Sequence, residues 1–230
     1  ITNILDGEYI CDRICEMEYD ALDKLKESLD GLSNRDINAY EELMYGLLLS
    51  GLAMQMTGHS RPASGAEHHM AHFWEMAVIN DEIDAYHGEK VGVGLIQVSD
   101  IYHEAVNLKE GNFKVKDHVD IETDLIEKTF TNKELCESIK KTNDPNLLDL
   151  IDPKVLREKT EEIIRIIEEI PKADEIVAML EKVHGVKSLE DIGFTPDMKE
   201  KTARVAPYIR DRITFMRILK FYDFYDDVIK

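Results

Sequence analysis

The sequence predicts an all-α fold, on three observations: apolar residues recur at spacings of three and four along most of the chain, β-branched runs with period two are nearly absent, and no Asn-Gly or Asp-Gly turn stands between two alternating runs. Ile14, Met17, Ala21, Leu22, Leu25 and Leu29 form one stripe and Ile37, Tyr40, Leu43, Met44, Leu47 and Leu48 another. Two amphipathic helices therefore meet at a break near Gly31 to Asn34, the second running on to Met54 or Met56. The run from Gly58 to Gly65 holds two glycines and a proline and must be a loop. A helix resumes at Ala66 and continues to Asn80. Tyr86-His87-Gly88-Glu89 makes a short junction, and a further helix runs from about Lys90 to Val106. Val91, Val93, Leu95, Ile96 and Val98 crowd this helix, so it should be buried on most sides at the centre of the domain.

The second half reads as shorter helices. Asp152 before Pro153 and Thr195 before Pro196 each set a capping residue ahead of proline at the first helical position, while Pro145 and Pro171 mark further boundaries. From Lys154 to Glu169, Val155, Leu156, Thr160, Ile163, Ile164 and Ile167 share one side and the charges the other, which makes the charge run a solvated face. No internal repeat or low-complexity linker interrupts the chain, and one helical unit spanning residues 1–230 is the expected organisation. Its 43% apolar content and six prolines suffice for a substantial core.

Charge excludes some partners. Lys and Arg number 28 against 47 Asp and Glu, a net −19, so the general field repels nucleic acid and anionic lipid. An anionic substrate would have to be held by local cations, a metal or helix N-termini. Cys11, Cys15 and Cys136 are an odd count without CxxC spacing, which argues against a disulfide framework or thiolate zinc site and fits a reducing cytoplasm. Cys11 and Cys15 share a helix face, where small buried apolar roles are expected. No apolar run approaches the ~20 residues that span a bilayer, and no basic segment with an apolar core opens the chain, so neither membrane insertion nor targeting is expected.

The chemistry-bearing residues cluster. Four of the eight histidines fall within 20 residues: His68, His69 and His72 on one predicted helix and His87 at the following junction. His68 and His72 are one turn apart and share a face, whereas His69 points about 100° away. Such a pair can share a metal or divide labour, one binding the ion and the other the substrate, with His87 closing on the ion from a loop. For any one of these a partly buried, hydrogen-bonded histidine is the commoner reading; three in this geometry favour a site. A zinc hydrolase motif would put Glu directly after the first His, but Glu67 precedes His68. Glu75, one turn beyond His72, reads either as a partner orienting a ring or as a solvated carboxylate. Arg61, with Ser64, Gly65 and the free N–H groups of the helix start, offers an anion cradle, or else Arg61 serves a surface carboxylate.

Gly51-Leu52-Ala53-Met54, the continuous run from Gly58-His59-Ser60-Arg61-Pro62-Ala63-Ser64-Gly65 through Glu67-His68-His69 and His72-Phe73-Trp74-Glu75, and then His87-Gly88-Glu89-Lys90-Val91-Gly92-Val93-Gly94 resemble the sn-glycerol-1-phosphate dehydrogenases. These stand within the superfamily of iron-containing alcohol dehydrogenases, glycerol dehydrogenases and dehydroquinate synthases. The run Ser60 to Gly65 is specific to that branch, and the ending Tyr208-Ile209-Arg210-Asp211-Arg212-Ile213-Thr214 is also similar. The likeness covers most of the chain and is strongest from about Gly46 to Ile101.

The resemblance implies the multi-helix, C-terminal metal-binding domain of that fold, and a reaction in which NADH or NADPH reduces dihydroxyacetone phosphate to sn-glycerol 1-phosphate for ether-lipid synthesis. It implies His68 and His87 as ligands of a divalent zinc or nickel ion, His72 as the catalytic, substrate-contacting residue, Arg61 and Ser64 in substrate binding, and a homo-oligomeric parent. The third protein ligand of the family, an upstream aspartate, and its glycine-rich dinucleotide site in an N-terminal α/β domain have no counterpart here. The chain is therefore expected to be the helical half of a longer enzyme and inactive alone. Two rivals remain: a glycerol dehydrogenase-like enzyme of the same scaffold, which would not need Arg61, and a helical binding module whose histidines hold no metal.

Overall fold

The computed structural model describes residues 1–76, 84–108 and 113–230. Twelve α-helices are found among them, joined by short 3-10 turns, with no strand beyond an isolated antiparallel bridge between Val115 and Tyr222. The all-α expectation is borne out.

Helix α1 (Thr2–Asp6) is short, and α2 (Asp12–Ser33) and α3 (Ile37–Thr57) form a long helical hairpin. The break falls at Asn34 to Asp36, slightly later than the pattern placed it, because α2 continues through Ser33 and Asp36 adopts an extended conformation with its side chain accepting the Asn38 N–H at 3.0 Å, starting the second helix. At the other end Gly58 takes φ 72°, a left-handed stop that lacks a Cβ penalty. The turn Arg61–Ala63 then leads to α4 (Ala66–Glu75).

Helix α4 is shorter than its pattern suggested. It ends at Glu75, with Met76 extended, and the rest of the expected span to Asn80 lies outside the described residues. Helix α5 (His87–Leu108) starts three residues earlier than expected, so His87 is its first residue and not part of a loop. The centre of α5 is buried along one stripe and not on most sides: Val93, Val98, Ile101, Tyr102 and Ala105 are at or below 6% exposure, whereas Val91 and Ile96 are half-buried and Leu95 is 37% exposed.

α4 and α5 cross closely because residue 94 is glycine: a Cβ there would stand 2.8 Å from the Glu67 carbonyl oxygen. Around this crossing Met70, Phe73 and Trp74 of α4 join Ile101, the α6 (Thr123–Thr129) residue Ile126, and Leu156, Ile163 and Ile167 of α8 (Pro153–Glu168) in one apolar core. The Trp74 indole N–H donates to Thr202 Oγ1 at 2.8 Å, tying α4 to α10 (Met198–Val205).

Between these, α7 (Lys133–Thr142), α8 (Pro153–Glu168), α9 (Ala173–Lys182) and α10 (Met198–Val205) close the core, and α11 (Phe215–Ile218) and α12 (Tyr225–Val228) finish the chain. Asp152 caps α8 as predicted, its carboxylate accepting the Lys154 N–H at 2.8 Å. Thr195 does not start α10: the helix begins at Met198, whose N–H bonds back to the Thr195 carbonyl at 3.0 Å, so Thr195-Pro196 forms the preceding turn.

Polar side chains are also built into the interior. Arg217, fully buried, donates to Asn143 Oδ1 at 2.7 Å, and Asn143 in turn donates to the Tyr208 carbonyl at 2.8 Å. Lys220, 2% exposed, reaches Glu122, the Arg204 carbonyl and the Tyr225 hydroxyl. None of the buried residues of α2 or α3 belongs to the central apolar core, so the hairpin is a separate arm.

Candidate metal and anion site

His68 and His72 emerge from the same face of α4, as their spacing requires, and the first residue of α5 brings His87 against them. The three imidazole centroids form a triangle of 6.3 Å (His68–His72), 5.5 Å (His68–His87) and 5.3 Å (His72–His87). The rings expected to act together are together.

Two carboxylates orient them. Glu75 accepts from His72 Nδ1 at 3.1 Å and from His87 Nδ1 at 2.7 Å, and Glu67 accepts from His68 Nδ1 at 2.8 Å. A carboxylate can only accept, so each Nδ1 carries the proton and each Nε2 is left as a bare lone pair. That is the tautomer a metal-binding or basic imidazole needs, and a carboxylate on the far nitrogen is its usual support. Glu75 therefore orients rings rather than facing solvent alone, with Lys90 Nζ a further 3.7 Å from the same oxygen.

The electrostatics keep this arrangement. Burial raises the Glu67 and Glu75 carboxyls, but hydrogen bonds from His68 and the Gly65 N–H to one, and from His87 and His72 to the other, outweigh it and leave both below the usual range. His72 is pushed below its ordinary value by burial, with Arg210 adding to the effect and Glu75 opposing it, so it is neutral near pH 7. The ligand atoms of His72, Glu75 and His87 lie within 4.8 Å of one another, close enough for one ion. The donor set of imidazole and carboxylate suits a borderline divalent cation. His72, Glu75 and His87 thus form a set that fits a metal, and His68 lies outside that set.

His69, on the other face of α4, is 2% exposed and neither of its ring nitrogens has a hydrogen-bond partner. Burial lowers its pKa to about 4, which keeps it neutral. It takes no part in the trio, as its 100° offset predicted.

A cavity of about 570 Å³ is lined by Arg61, Ser64 and Gly65 from the loop, by Arg212 and Thr214, and by Glu8, Cys11 and Cys15 among others, and none of the three histidines lines it. It connects to the histidines through one carboxylate, since Glu67 Oε1 accepts both the Gly65 N–H at 2.7 Å and His68 Nδ1. The anion cradle differs from its expected form in two respects. Arg61 is ion-paired with Glu8, and the Gly65 N–H is taken by Glu67 rather than left free.

The cation that the cluster argument missed is Arg212, whose guanidinium bonds Ser60 Oγ at 2.9 Å and the Ser64 carbonyl at 3.4 Å. Burial and the neighbouring charges of Arg61 and Arg210 lower its pKa. Three arginines converge here in a chain of net charge −19. The signal was present in the run Tyr208 to Thr214, but nothing local to it shows which loop it faces. Cys11 and Cys15 are half-buried on the cavity wall, not sealed in the core.

No family model and no solved structure matches the chain. Curated relatives do. The chain is 29% identical over 202 residues to a glycerol-1-phosphate dehydrogenase [NAD(P)+] of Bacillus licheniformis, covering 87% of this chain and 47% of that protein. It is 27% identical over 220 residues to the Halalkalibacterium halodurans protein of the same name, covering 95% and 47%. With the Methanocorpusculum labreanum protein of that name it shares 36% over 98 residues, 43% of this chain and 26% of the relative. The chain spans about half the length of the curated relatives that it matches along most of its own. The likeness seen in the loop and histidine motifs thus extends along nearly the whole chain, which is a relative of the glycerol-1-phosphate dehydrogenases.

Proposed function

We propose that this chain supplies the metal- and substrate-binding half of an NAD(P)-dependent glycerol-1-phosphate dehydrogenase that interconverts dihydroxyacetone phosphate and sn-glycerol 1-phosphate. The observation that carries the reading is the trio His68, His72 and His87 with every Nδ1 proton held by a carboxylate, linked through Glu67 to a cavity lined by arginines.

In this reading His68 and His87 hold a divalent zinc or nickel ion through Nε2. When bound, the ion supplies Lewis acidity toward the substrate oxygen, and NAD(P)H supplies the hydride. The residues do the rest. Arg61, Arg212 and Ser64 bind the phosphate, which a protein of net charge −19 could not otherwise attract. His72, neutral with its Nδ1 proton on Glu75, accepts the hydroxyl proton at Nε2 in the oxidative direction and, as imidazolium, returns it to the same oxygen on reduction.

The test is NAD(P)H oxidation with dihydroxyacetone phosphate by a longer protein carrying this chain, with and without chelator, beside the chain alone. Turnover that the chelator abolishes, and that the chain alone lacks, supports the reading. A metal-loaded protein that ignores dihydroxyacetone phosphate but oxidises glycerol keeps the scaffold and removes the phosphate role of Arg61. Metal content that survives both His68→Ala and His87→Ala would leave only a helical binding module.

A further inference from the structure

The cavity of about 570 Å³ carries two thiols that the proposed reaction leaves unused. Cys11 stands at the start of α2 and Cys15 one turn on, its N–H bonded to the Cys11 carbonyl at 3.1 Å, and both line the cavity. Both are half-buried and free, whereas Cys136 is 6% exposed inside the apolar core. Residues four apart on a helix hold their Cβ atoms about 5–6 Å apart, beyond the roughly 3.5–4.5 Å of a disulfide. The two sulfurs are therefore left for an external partner rather than for each other.

The rest of the lining says what that partner carries. Two arginines, Arg61 and Arg212, stand there against one carboxylate, Glu8, so the wall is locally positive in a chain of net −19. Glu8 is taken by Arg61, while Arg212 hydrogen-bonds the neutral Ser60 hydroxyl and Ser64 carbonyl. Thr214 Oγ1 lies on the same lining, buried and without a hydrogen-bond partner. A reagent with carboxylates is attracted here and repelled by the surface elsewhere. The volume is that of a pocket for a molecule of short-peptide size, far more than a peroxide needs.

We infer that Cys11 and Cys15 form a reversible thiolation site for small disulfides that carry carboxylates, the incoming carboxylates resting on Arg212 and Thr214. The thiolate of one cysteine attacks one sulfur of the disulfide, and the new S–S bond forms as the old one breaks. The outgoing thiolate takes up the proton that the cysteine lost, so the cysteine is oxidised and half of the reagent reduced. Attack by a free thiol reverses the step. The adduct fills the cavity that Arg212 lines. The inference rests on the cavity and its thiols, not on the dehydrogenase reading.

The test compares two disulfides on the folded chain, glutathione disulfide, which carries carboxylates, and cystamine, a dication, with adducts counted and mapped by mass spectrometry. An open thiol on so acidic a chain reacts faster with the dication. Glutathione disulfide should instead place one glutathionyl group on the Cys11 or the Cys15 peptide, which trypsin separates by cutting after Arg13, and leave Cys136 untouched. With the same reagents on the urea-unfolded chain as the reference for intrinsic reactivity, folding should favour glutathione disulfide over cystamine about 10-fold, the scale of one charged hydrogen bond. Arg212→Ala, its helicity checked by circular dichroism, should remove that preference. A folded chain that prefers cystamine overturns the inference, as do an adduct on Cys136 and a Cys11–Cys15 disulfide formed in place of an adduct. A preference that survives Arg212→Ala overturns it too.

Discussion

Glu75 holds His72 and His87 at once, one carboxylate oxygen 3.1 Å from the Nδ1 of the first and the other 2.7 Å from the Nδ1 of the second. An amide cannot do this, because Glu75→Gln offers one acceptor and one donor, and the donor would meet an Nδ1–H. One ring must then change tautomer and lose its bare Nε2. Zinc affinity should fall about 10- to 100-fold in Glu75→Gln, read by competition with a chromogenic chelator, while the melting temperature changes little. Unaltered zinc affinity would mean that Glu75 orients neither ring.

Which pair of histidines holds the ion is a separate question. The closest set of ligand atoms is His72, Glu75 and His87, whereas the resemblance assigns His68 and His87. With His68 and His87 as ligands, His68→Ala should strip the metal and His72→Ala should keep it while removing turnover in the longer protein. Metal analysis after dialysis reads the difference, and loss in His72→Ala with retention in His68→Ala reverses the assignment.

Gly94 controls the crossing of α4 and α5. A Cβ there would stand 2.8 Å from the Glu67 carbonyl oxygen and 3.4 Å from the Glu67 Cα, both backbone atoms that cannot swing aside. Gly94→Ala must push α5 from the turn that carries Glu67 and His68, and should cost about 1–3 kcal/mol in urea unfolding. Zinc affinity should weaken with it although residue 94 touches no ligand. A stability equal to the unaltered chain would show that the crossing is looser than described.

Helix periodicity made α2, α5 and α8 legible, because each buries a stripe; α3 was legible as a helix with local stops at Asp36 and Gly58, but the stripe read for it is not buried, since Ile37, Tyr40, Met44, Leu47 and Leu48 are exposed and only Ala39 and Ala53 are covered. The histidine trio was legible for the same reason: residues 68 and 72 are fixed by one helical turn. What escaped depends on distant contacts. The end of α4 at Glu75 carries no proline or glycine to announce it, and the apolar residues that follow continue its pattern. Arg212 joins Ser60 across 152 positions in the chain, and Glu8 takes Arg61 across 53, pairings that no local spacing encodes. The uncovered face of α3 was hidden by its own pattern, since a helix that is apolar all round looks buried.

Arg212 should matter more than Arg61 for anion binding. Arg61 is already neutralised by Glu8, whereas among the described residues Arg212 hydrogen-bonds to neutral oxygens of Ser60 and Ser64, with the neighbouring Asp211 charge opposing the effect of burial, and it presents its charge to the cavity. Titrating the chain with inorganic phosphate by calorimetry, Arg212→Ala should weaken binding at least ~10-fold, the scale of one charged hydrogen bond, and Arg61→Ala should weaken it less. The reverse order would mean that the Arg61–Glu8 pair opens for the ligand.

Lys220 ties stability to alkaline pH. It is 2% exposed, and burial lowers its pKa from 10.5 to about 8 against the opposing pull of Glu122. The folded chain thus releases this proton near pH 8 while the unfolded chain holds it to about 10.5, so the unfolded state binds more protons in that window and stability rises with pH through it. Below pH 8 the burial penalty is present in full. Relative to Lys220→Met, which has no proton to release, the unaltered chain should gain about 2 kcal/mol between pH 7 and 9.5 in urea unfolding. A difference between the two proteins that is the same at both pH values would place the Lys220 pKa at its ordinary value and make the Glu122 pair strong enough to offset burial.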